Sequence, residues 1–229
     1  MKDMKDYVII PTYNEKENIA LLIEEIFKIL PEINILIVDD NSPDKTAEAV
    51  RSLIVNYPNL YLMERPQKDG LGGAYIAAFR KLLTDKDVRR IITMDGDFSH
   101  NPKYIPNLLQ ICEQKDLAIG SRYIAGGGIA QWEFWRRLLS FGANIYVRII
   151  LGKPIRDWTT GFQCINTDML KKIDFNKIDL SGYAFLQELK YMLIVAGATF
   201  EETPIVFEAR RGGESKISGF IIREGILGP

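Results

Sequence analysis

Short unbroken apolar runs alternate with stretches of helical spacing along the first half of the chain. Tyr7-Val8-Ile9-Ile10, Ile35-Leu36-Ile37-Val38, Leu60-Tyr61-Leu62-Met63, Ile91-Ile92-Thr93-Met94 and Leu117-Ala118-Ile119 carry almost no interleaved polar residues, which is how strands buried on both faces of a parallel sheet read. Between the first two runs, Ile19, Leu22, Ile23, Ile26 and Phe27 fall on one side of a helix over 15–30. Ser42-Pro43 supplies an N-cap and a first-turn proline for a helix to about residue 57. Further helices are predicted over 70–83 and 102–114. The alternation predicts an α/β fold with a mostly parallel central sheet, helices on both faces, and loops gathered at the carboxyl edge of the strands, where such sheets bind ligands.

The second half is less regular. Gly126-Gly127-Gly128 breaks the pattern, and a long helix is predicted over 132–151 with Trp135, Leu138, Leu139 and Ile145 on overlapping apolar faces. A loop follows through residues 154–161, then a helix over 184–196, a strand near 205–207 and a polar, glycine-containing loop over 210–216. No composition shift, repeat or low-complexity tract divides the chain, so residues 1–229 are expected to form one domain.

Composition narrows the chemistry. With 229 residues, 47% apolar, and a net charge of −1, the chain has a soluble globular profile and no nucleic-acid footprint. A single histidine, His100, argues against histidine-built zinc sites but leaves magnesium or manganese on carboxylates open. Cys112 and Cys164 lack metal-ligand spacing, so they read as core residues of an intracellular protein. The start of the chain leads only into a short strand, and the most apolar stretch, 138–151, is short and contains Arg148, so neither a signal peptide nor a membrane span is expected.

The carboxyl edge holds the candidate chemistry. Asp95-Gly96-Asp97 closes the fourth apolar run, placing two carboxylates where a hard divalent cation and a diphosphate can meet. A solvated turn is the plain alternative. The first strand ends in Pro11-Thr12-Tyr13-Asn14-Glu15, where Asn14 is positioned to cap the next helix and Tyr13 offers a face for a base. The second ends in Asp39-Asp40, acids able to accept from a ribose or base, or simply to serve the turn. Arg122, Arg210 and Lys216 come from loops of the same edge and suit a departing diphosphate, with a solvated surface charge as the alternative for each.

Taken in order, PTYNE at 11–15, DDNSPDKT at 39–46, GLGGA at 70–74, MDGDFSHNP at 94–102, GSRY at 120–123, WRRLLSFGAN at 135–144, TTGFQ at 159–163 and GGESK at 212–216 resemble glycosyltransferase family 2, most nearly its polyprenyl-phosphate (dolichyl-phosphate) mannose-synthesising branch. The resemblance implies a Rossmann-like GT-A fold and inverting, metal-dependent transfer of mannose from GDP-mannose to a polyprenyl monophosphate. Residues 1–123 would form the nucleotide-sugar half and residues 124–229 the acceptor half with its tail. Pro11, Tyr13, Glu15, Val38, Asp40, Gly96, Arg210 and Lys216 would hold the donor. Asp95 and Asp97 would share Mg2+ or Mn2+, with Ser99 standing where the family often has glutamine, and Arg122 would act with the two aspartates in catalysis.

Arg136 and Ser140 are four residues apart on the predicted helix, so they share a face able to grip a phosphate, the role the resemblance also assigns them. A phosphate monoester is largely ionised at neutral pH and needs placement more than a base. Asp157 is the better candidate if a base is required, and His100 suits a supporting role at the start of the following helix. Trp132, Phe134, Trp135 and Tyr146 suit either a membrane interface or the core. The resemblance implies a cytoplasmic enzyme, peripheral at a membrane, with either a membrane-anchoring partner or a further C-terminal membrane segment. Three other readings stand beside it: a relative using UDP-glucose, a phosphate-cleaving hydrolase and a non-catalytic nucleotide-sugar-binding subunit. The hydrolase predicts a nucleophilic aspartate near the first strand, where the chain has Pro11-Thr12-Tyr13.

Overall fold

The computed structural model describes residues 4–178 and 184–209. Strand β1 (Lys5–Thr12), helix α1 (Lys16–Ile29) and β2 (Asn34–Asp39) form the first βαβ unit, and α2 (Thr46–Ile54) leads to β3 (Leu60–Glu64). Helix α3 (Gly70–Leu82), β4 (Val88–Thr93), α4 (Ile105–Ile111) and β5 (Leu117–Ser121) continue the alternation. After the short β6 (Gly128–Ile129) come α5 (Phe134–Leu151), β7 (Gln163–Asn166), α6 (Thr167–Leu170), α7 (Ala184–Val195), β8 (Phe200–Pro204) and β9 (Val206–Phe207).

The main sheet has the order β3-β2-β1-β4-β7-β5-β8. From β1 the chain steps one way through β2 and β3 and then crosses to β4 on the other side, so β1 and β4 flank the topological switch point at which open α/β sheets place their ligand. Side-chain alternation along β1 divides the interior. Tyr7 and Ile9 join the core built with Tyr75, Phe79, Phe185 and Leu189, whereas Val8 and Ile10 join the opposite core with Ile19, Ile23, Val50 and Leu108. Both cysteines are buried free thiols, as their spacing suggests.

Three strands, β6, β7 and β8, escape periodicity analysis. β7 has one polar residue at each end of a two-residue apolar centre, and it lies antiparallel between β4 and β5, so the sheet is not uniformly parallel. It enters from the edge at which its neighbours end, pairing Gln163 with Thr93 and Ile119. This sets residues 157–162 beside the ends of β4 and β5. The predicted strand near 205–207 is β9, and β8 precedes it. β8 pairs with β5 in the main sheet, while β9 pairs with β6 in a separate two-stranded ribbon.

The start of α2 also differs from expectation. Ser42 does not cap it, because its hydroxyl donates to Asp39 Oδ1 (2.6 Å) and its N–H to Asp39 Oδ2 (2.9 Å). Lys45 then takes a left-handed conformation and Asp44 Oδ1 accepts the Thr46 N–H at 3.0 Å. Asn14 likewise fails as a cap, having φ of 59°. The same 42–46 loop caps α1 from outside, since Asp44 Oδ2 accepts the Lys16 N–H (3.0 Å) and Thr46 Oγ1 the Glu15 N–H (3.1 Å).

Of the four aromatic residues, Phe134, Trp135 and Tyr146 of α5 are exposed, whereas Trp132, just before the helix, is half-buried against Phe207. Phe134 is 81% exposed, Trp135 59%, Leu138 60% and Ile149 73%. They are not core residues in this chain. Among the described residues no helix is long and apolar enough to cross a membrane.

The turn after β5 depends on close backbone approach. A Cβ on Gly127 would stand 2.6 Å from the Ser121 carbonyl oxygen, whereas one on Gly128 meets nothing within 4 Å. Gly127→Ala should therefore destabilise the protein by about 1–3 kcal/mol and Gly128→Ala by no more than about 0.5 kcal/mol in urea unfolding. Equal effects would show that the turn yields freely.

Candidate active site

Three strand ends converge at the switch point on a cavity of about 120 Å3. β1 contributes Pro11, Tyr13 and Glu15, β2 contributes Asp40, and the turn after β4 contributes Asp95, Gly96 and Asp97. Seven of the sequence-predicted site residues thus line one space. Val38 is fully buried in the core below it.

The acidic pair after β2 divides its labour. Asp39 is consumed by the turn, accepting from the Thr12 hydroxyl (2.8 Å) as well as from Ser42. Asp40 faces the cavity. Its partner is Arg65, one residue past β3, whose Nη1 lies 3.0 Å from Oδ1 in an ion pair without hydrogen-bond alignment. Burial pushes the Asp40 pKa up and the Arg65 charge opposes it. Arg65 was legible by the strand-end rule that selects Asp40 and Asp95, but no motif marks it. A Cβ on Gly73 would come within 2.9 Å of Arg65 Nη2, so the glycine of the 70–74 run leaves room for the guanidinium. Lys68 Nζ covers the Tyr13 ring at 3.9 Å from its centroid.

The turn after β4 is held from within. Asp97 Oδ1 accepts the Ser99 N–H at 3.0 Å, with Phe98 between them at φ 66°, a left-handed conformation costly for an aromatic residue. Ser99 is buried and is not among the residues lining the cavity. His100 Nδ1 accepts the Asp95 N–H (3.1 Å), and the ring stacks on Phe162 at 4.9 Å. Burial drives its pKa down to about 3, against the Asp97 charge, so the ring is a neutral acceptor that braces Asp95. Among the described residues no three histidine, cysteine or acidic side chains form a closed metal cage. Two carboxylates lining an open cavity fit a hard cation that keeps water and phosphate oxygens as its other ligands.

A cationic cluster adjoins this turn. Arg122, immediately past β5, is buried, and donates from Nε and Nη2 to Asp157 at 2.7 Å each and from Nη2 to Thr159 Oγ1 at 2.6 Å. Burial opposes its charge, but Asp157 holds its pKa above the ordinary value. Asp157 is no candidate base. Although burial pushes its pKa up, Arg122 brings it below the ordinary carboxylate value, and its oxygens also accept the N–H groups of Arg122 (2.9 Å) and Thr160 (3.1 Å). Lys190, which no motif marks, donates to the carbonyls of Trp158 (3.0 Å) and Thr160 (2.6 Å) in the same loop.

Arg136 and Ser140, expected from the sequence to grip a phosphate, both lie on α5. Tyr123 donates its hydroxyl to Ser140 Oγ at 2.7 Å, and the Arg136 guanidinium lies 5.2 Å from the Trp132 ring. Trp132 meets Phe207 edge-on at 5.6 Å, and Phe207 in turn lies 5.3 Å from the Arg122 guanidinium. Ser140 therefore joins the residue next to Arg122, and Arg136 reaches the same aromatic group. Arg210 and Lys216 lie outside the described residues.

A strand-switch cavity lined by acids, with a buried arginine beside it, is the arrangement of an enzyme handling an anionic group. The profile of Glycosyl transferase family 2 matches residues 7–177. An undecaprenyl-phosphate mannosyltransferase of Micrococcus luteus is 38% identical over 224 residues, 98% of this chain and 92% of that protein. A polyprenol monophosphomannose synthase of Mycolicibacterium smegmatis is 41% identical over 226 residues, 96% of this chain and 83% of that one. In fold, the chain is similar to glucosyl-3-phosphoglycerate synthase from Mycobacterium tuberculosis, solved with Mn2+, UDP and phosphoglyceric acid, with a TM-score of 0.70 and 15% identity over 97% of this chain and 76% of that one. The chain belongs to glycosyltransferase family 2, and its fold is GT-A.

The buried charges give two stability tests. Asp157→Asn leaves Arg122 without its counter-charge and should cost about 3–5 kcal/mol in urea unfolding; a loss below about 1 kcal/mol would mean the pair is dispensable. For Lys190, burial lowers the pKa from 10.5 to about 7. The unfolded chain then binds the proton more strongly, so this group's contribution to stability improves as pH rises from about 7 towards 10. Wild type should gain stability relative to Lys190→Met over that interval, and parallel curves would refute it.

Proposed function

We propose that this glycosyltransferase moves mannose from GDP-mannose to a polyprenyl monophosphate with inversion at the sugar carbon. Residues 1–123 carry the donor and residues 124–229 the acceptor. Pro11, Tyr13, Glu15 and Asp40 surround the nucleoside, with Val38 beneath and Arg65 orienting Asp40. Asp95 and Asp97 hold Mg2+ or Mn2+, which when bound neutralises charge on the diphosphate. The distant structural neighbour was solved with Mn2+.

The observation that carries the acceptor assignment is the two-sidedness of α5. One side sets Ser140 against Tyr123, beside Arg122. The other exposes Phe134, Trp135, Leu138 and Ile149. A phosphate headed by a long apolar chain matches both sides at once: Arg136 and Ser140 take the phosphate, and the exposed face lies against the membrane that holds the chain. The acceptor oxygen is already ionised, since the second pKa of a phosphate monoester is about 6. That agrees with an Asp157 whose oxygens are committed to Arg122. The names of the two relatives above, both mannosyltransferases acting on polyprenyl phosphates, support the sugar and the acceptor. A cytoplasmic-face location and a membrane partner complete the proposal.

The test is transfer of labelled mannose from GDP-mannose to a polyprenyl phosphate in detergent, with magnesium, manganese or chelator, and with UDP-glucose as rival donor. Lipid labelling from GDP-mannose that chelator abolishes is the expected result. Asp97→Ala should reduce it about a hundredfold or more, and Ser140→Ala should raise the acceptor KM while leaving GDP affinity unchanged. Labelling only from UDP-glucose would reassign the donor. Full activity of Asp97→Ala would remove the metal from that residue.

A further inference from the structure

Helix α5 touches the rest of the protein through very few buried side chains: of its 18 residues, Asn144 and Val147 are the buried ones. Asn144 uses every hydrogen-bonding position of its amide there. Its Oδ1 accepts the N–H groups of Trp158 (2.7 Å) and Thr159 (3.3 Å), while Nδ2 donates to the Ser140 carbonyl (2.9 Å) and to Thr159 Oγ1 (3.0 Å). The two main-chain donors fix which end of the amide is oxygen. Thr159 Oγ1 is also the acceptor for Arg122 Nη2 at 2.6 Å. One hydroxyl therefore separates Asn144 from Arg122, and Asn144 lies one helical turn past Ser140 and two past Arg136 on the same side of α5.

We propose that Asn144 is a positioning residue that locks the acceptor-binding side of α5 to Arg122 through Thr159, setting the distance between the acceptor phosphate and the donor's leaving group. What is bound at the two ends rests on the function proposed above; the lock itself does not. A helix with so little buried apolar surface has few other means of fixing its rotation and height. Loss of Asn144 leaves the Trp158 and Thr159 N–H groups without their acceptor and frees α5 to shift relative to Arg122.

The experiment compares wild type, Asn144→Ala, Thr159→Val and the double variant in three measurements: steady-state mannose transfer, GDP affinity, and amide hydrogen exchange. Asn144→Ala should raise the acceptor KM about tenfold or more, with GDP affinity within about twofold of wild type, because the loss falls on one ligand only. Exchange should rise across 134–151 and not in β1, β2 or β4. The double variant should lose less than the sum of the single losses, since both changes break one link. An unchanged acceptor KM together with unchanged exchange in α5, or fully additive losses, would overturn the proposal. So would an equal loss of GDP affinity, which would make Asn144 a general support. If wild type transfers no mannose, the proposed function fails, and exchange in α5 of Asn144→Ala alone decides the lock.

Discussion

The Arg122–Asp157 pair is the constraint on which the second half of the structure depends. Both charges are buried, and removing either would strand the other in a medium of low dielectric. Arg122 directly follows β5 and Asp157 lies shortly before β7, so satisfying the pair requires the chain leaving α5 to come back to the carboxyl edge of β5. From there its course into the sheet is downward, between β4 and β5, against the direction of both. The antiparallel strand is thus a consequence of where a buried charge had to be neutralised. Lys190 from α7, Asn144 from α5 and Glu202 from β8, which accepts the N–H groups of Arg156 (2.9 Å) and Asp157 (3.0 Å), hold the same loop from three sides.

The loop also joins the cationic cluster to the acidic one. Thr93, the last residue of β4, donates its hydroxyl to the Gly161 carbonyl at 2.6 Å, and the Cβ position of Gly161 is 3.6 Å from Asp95 Oδ1. With no side chain at 161, the segment that fixes Arg122 lies directly against the acidic turn. Opposite charges brought to the ends of the two strands that flank β7, each braced by hydrogen bonds, form a preorganised field that suits the proposed reaction, in which charge builds on a leaving diphosphate. His100 serves the same end from below, bracing the Asp95 main chain as a neutral ring.

What the amino-acid sequence made legible follows from where the physics is local. Four of the five apolar runs of the first half are strands buried on both faces, which leaves no room for polar residues, the fifth, β3, is a partly exposed edge strand, and the chemistry at the strand ends follows from sheet topology. Asp95, Asp97, Tyr13 and the pair Asp39-Asp40 were readable on that basis, whereas Glu15 and the choice of Asp40 came with the family resemblance, and Asp95, Asp97, Tyr13, Glu15 and Asp40 share one cavity. The rest depends on contacts between distant segments. Asp39 and Asp40 are adjacent and identical in type, and only the turn that consumes Asp39 distinguishes them. Asp157 reads as a spare carboxylate until Arg122, 35 residues away, is placed on it. β7 is too short and too polar at its ends to announce itself, and Lys190 looks like any lysine on a helix until burial and three carbonyls surround it.

Helix α5 shows why a polar lock suits its position. Its exposed side is rich in aromatic and aliphatic residues, and Leu139, Phe141, Ile145 and Ile150 extend that character around much of its circumference. Apolar burial gives such a helix little instruction about its rotation, because apolar residues flank the side of Arg136, Ser140 and Asn144 on both edges, and less still where the outer side rests against lipid, as proposed. Hydrogen bonds with fixed donors and acceptors discriminate where hydrophobicity does not. Asn144 can satisfy the N–H groups of Trp158 and Thr159 in one rotation of the helix only, and that rotation also brings Ser140 to Tyr123. The orientation of the side proposed to grip the acceptor is thereby tied to the same hydroxyl that steadies Arg122, so a helix with only two buried residues has its alignment with the Arg122–Asp157 pair set by directional bonds.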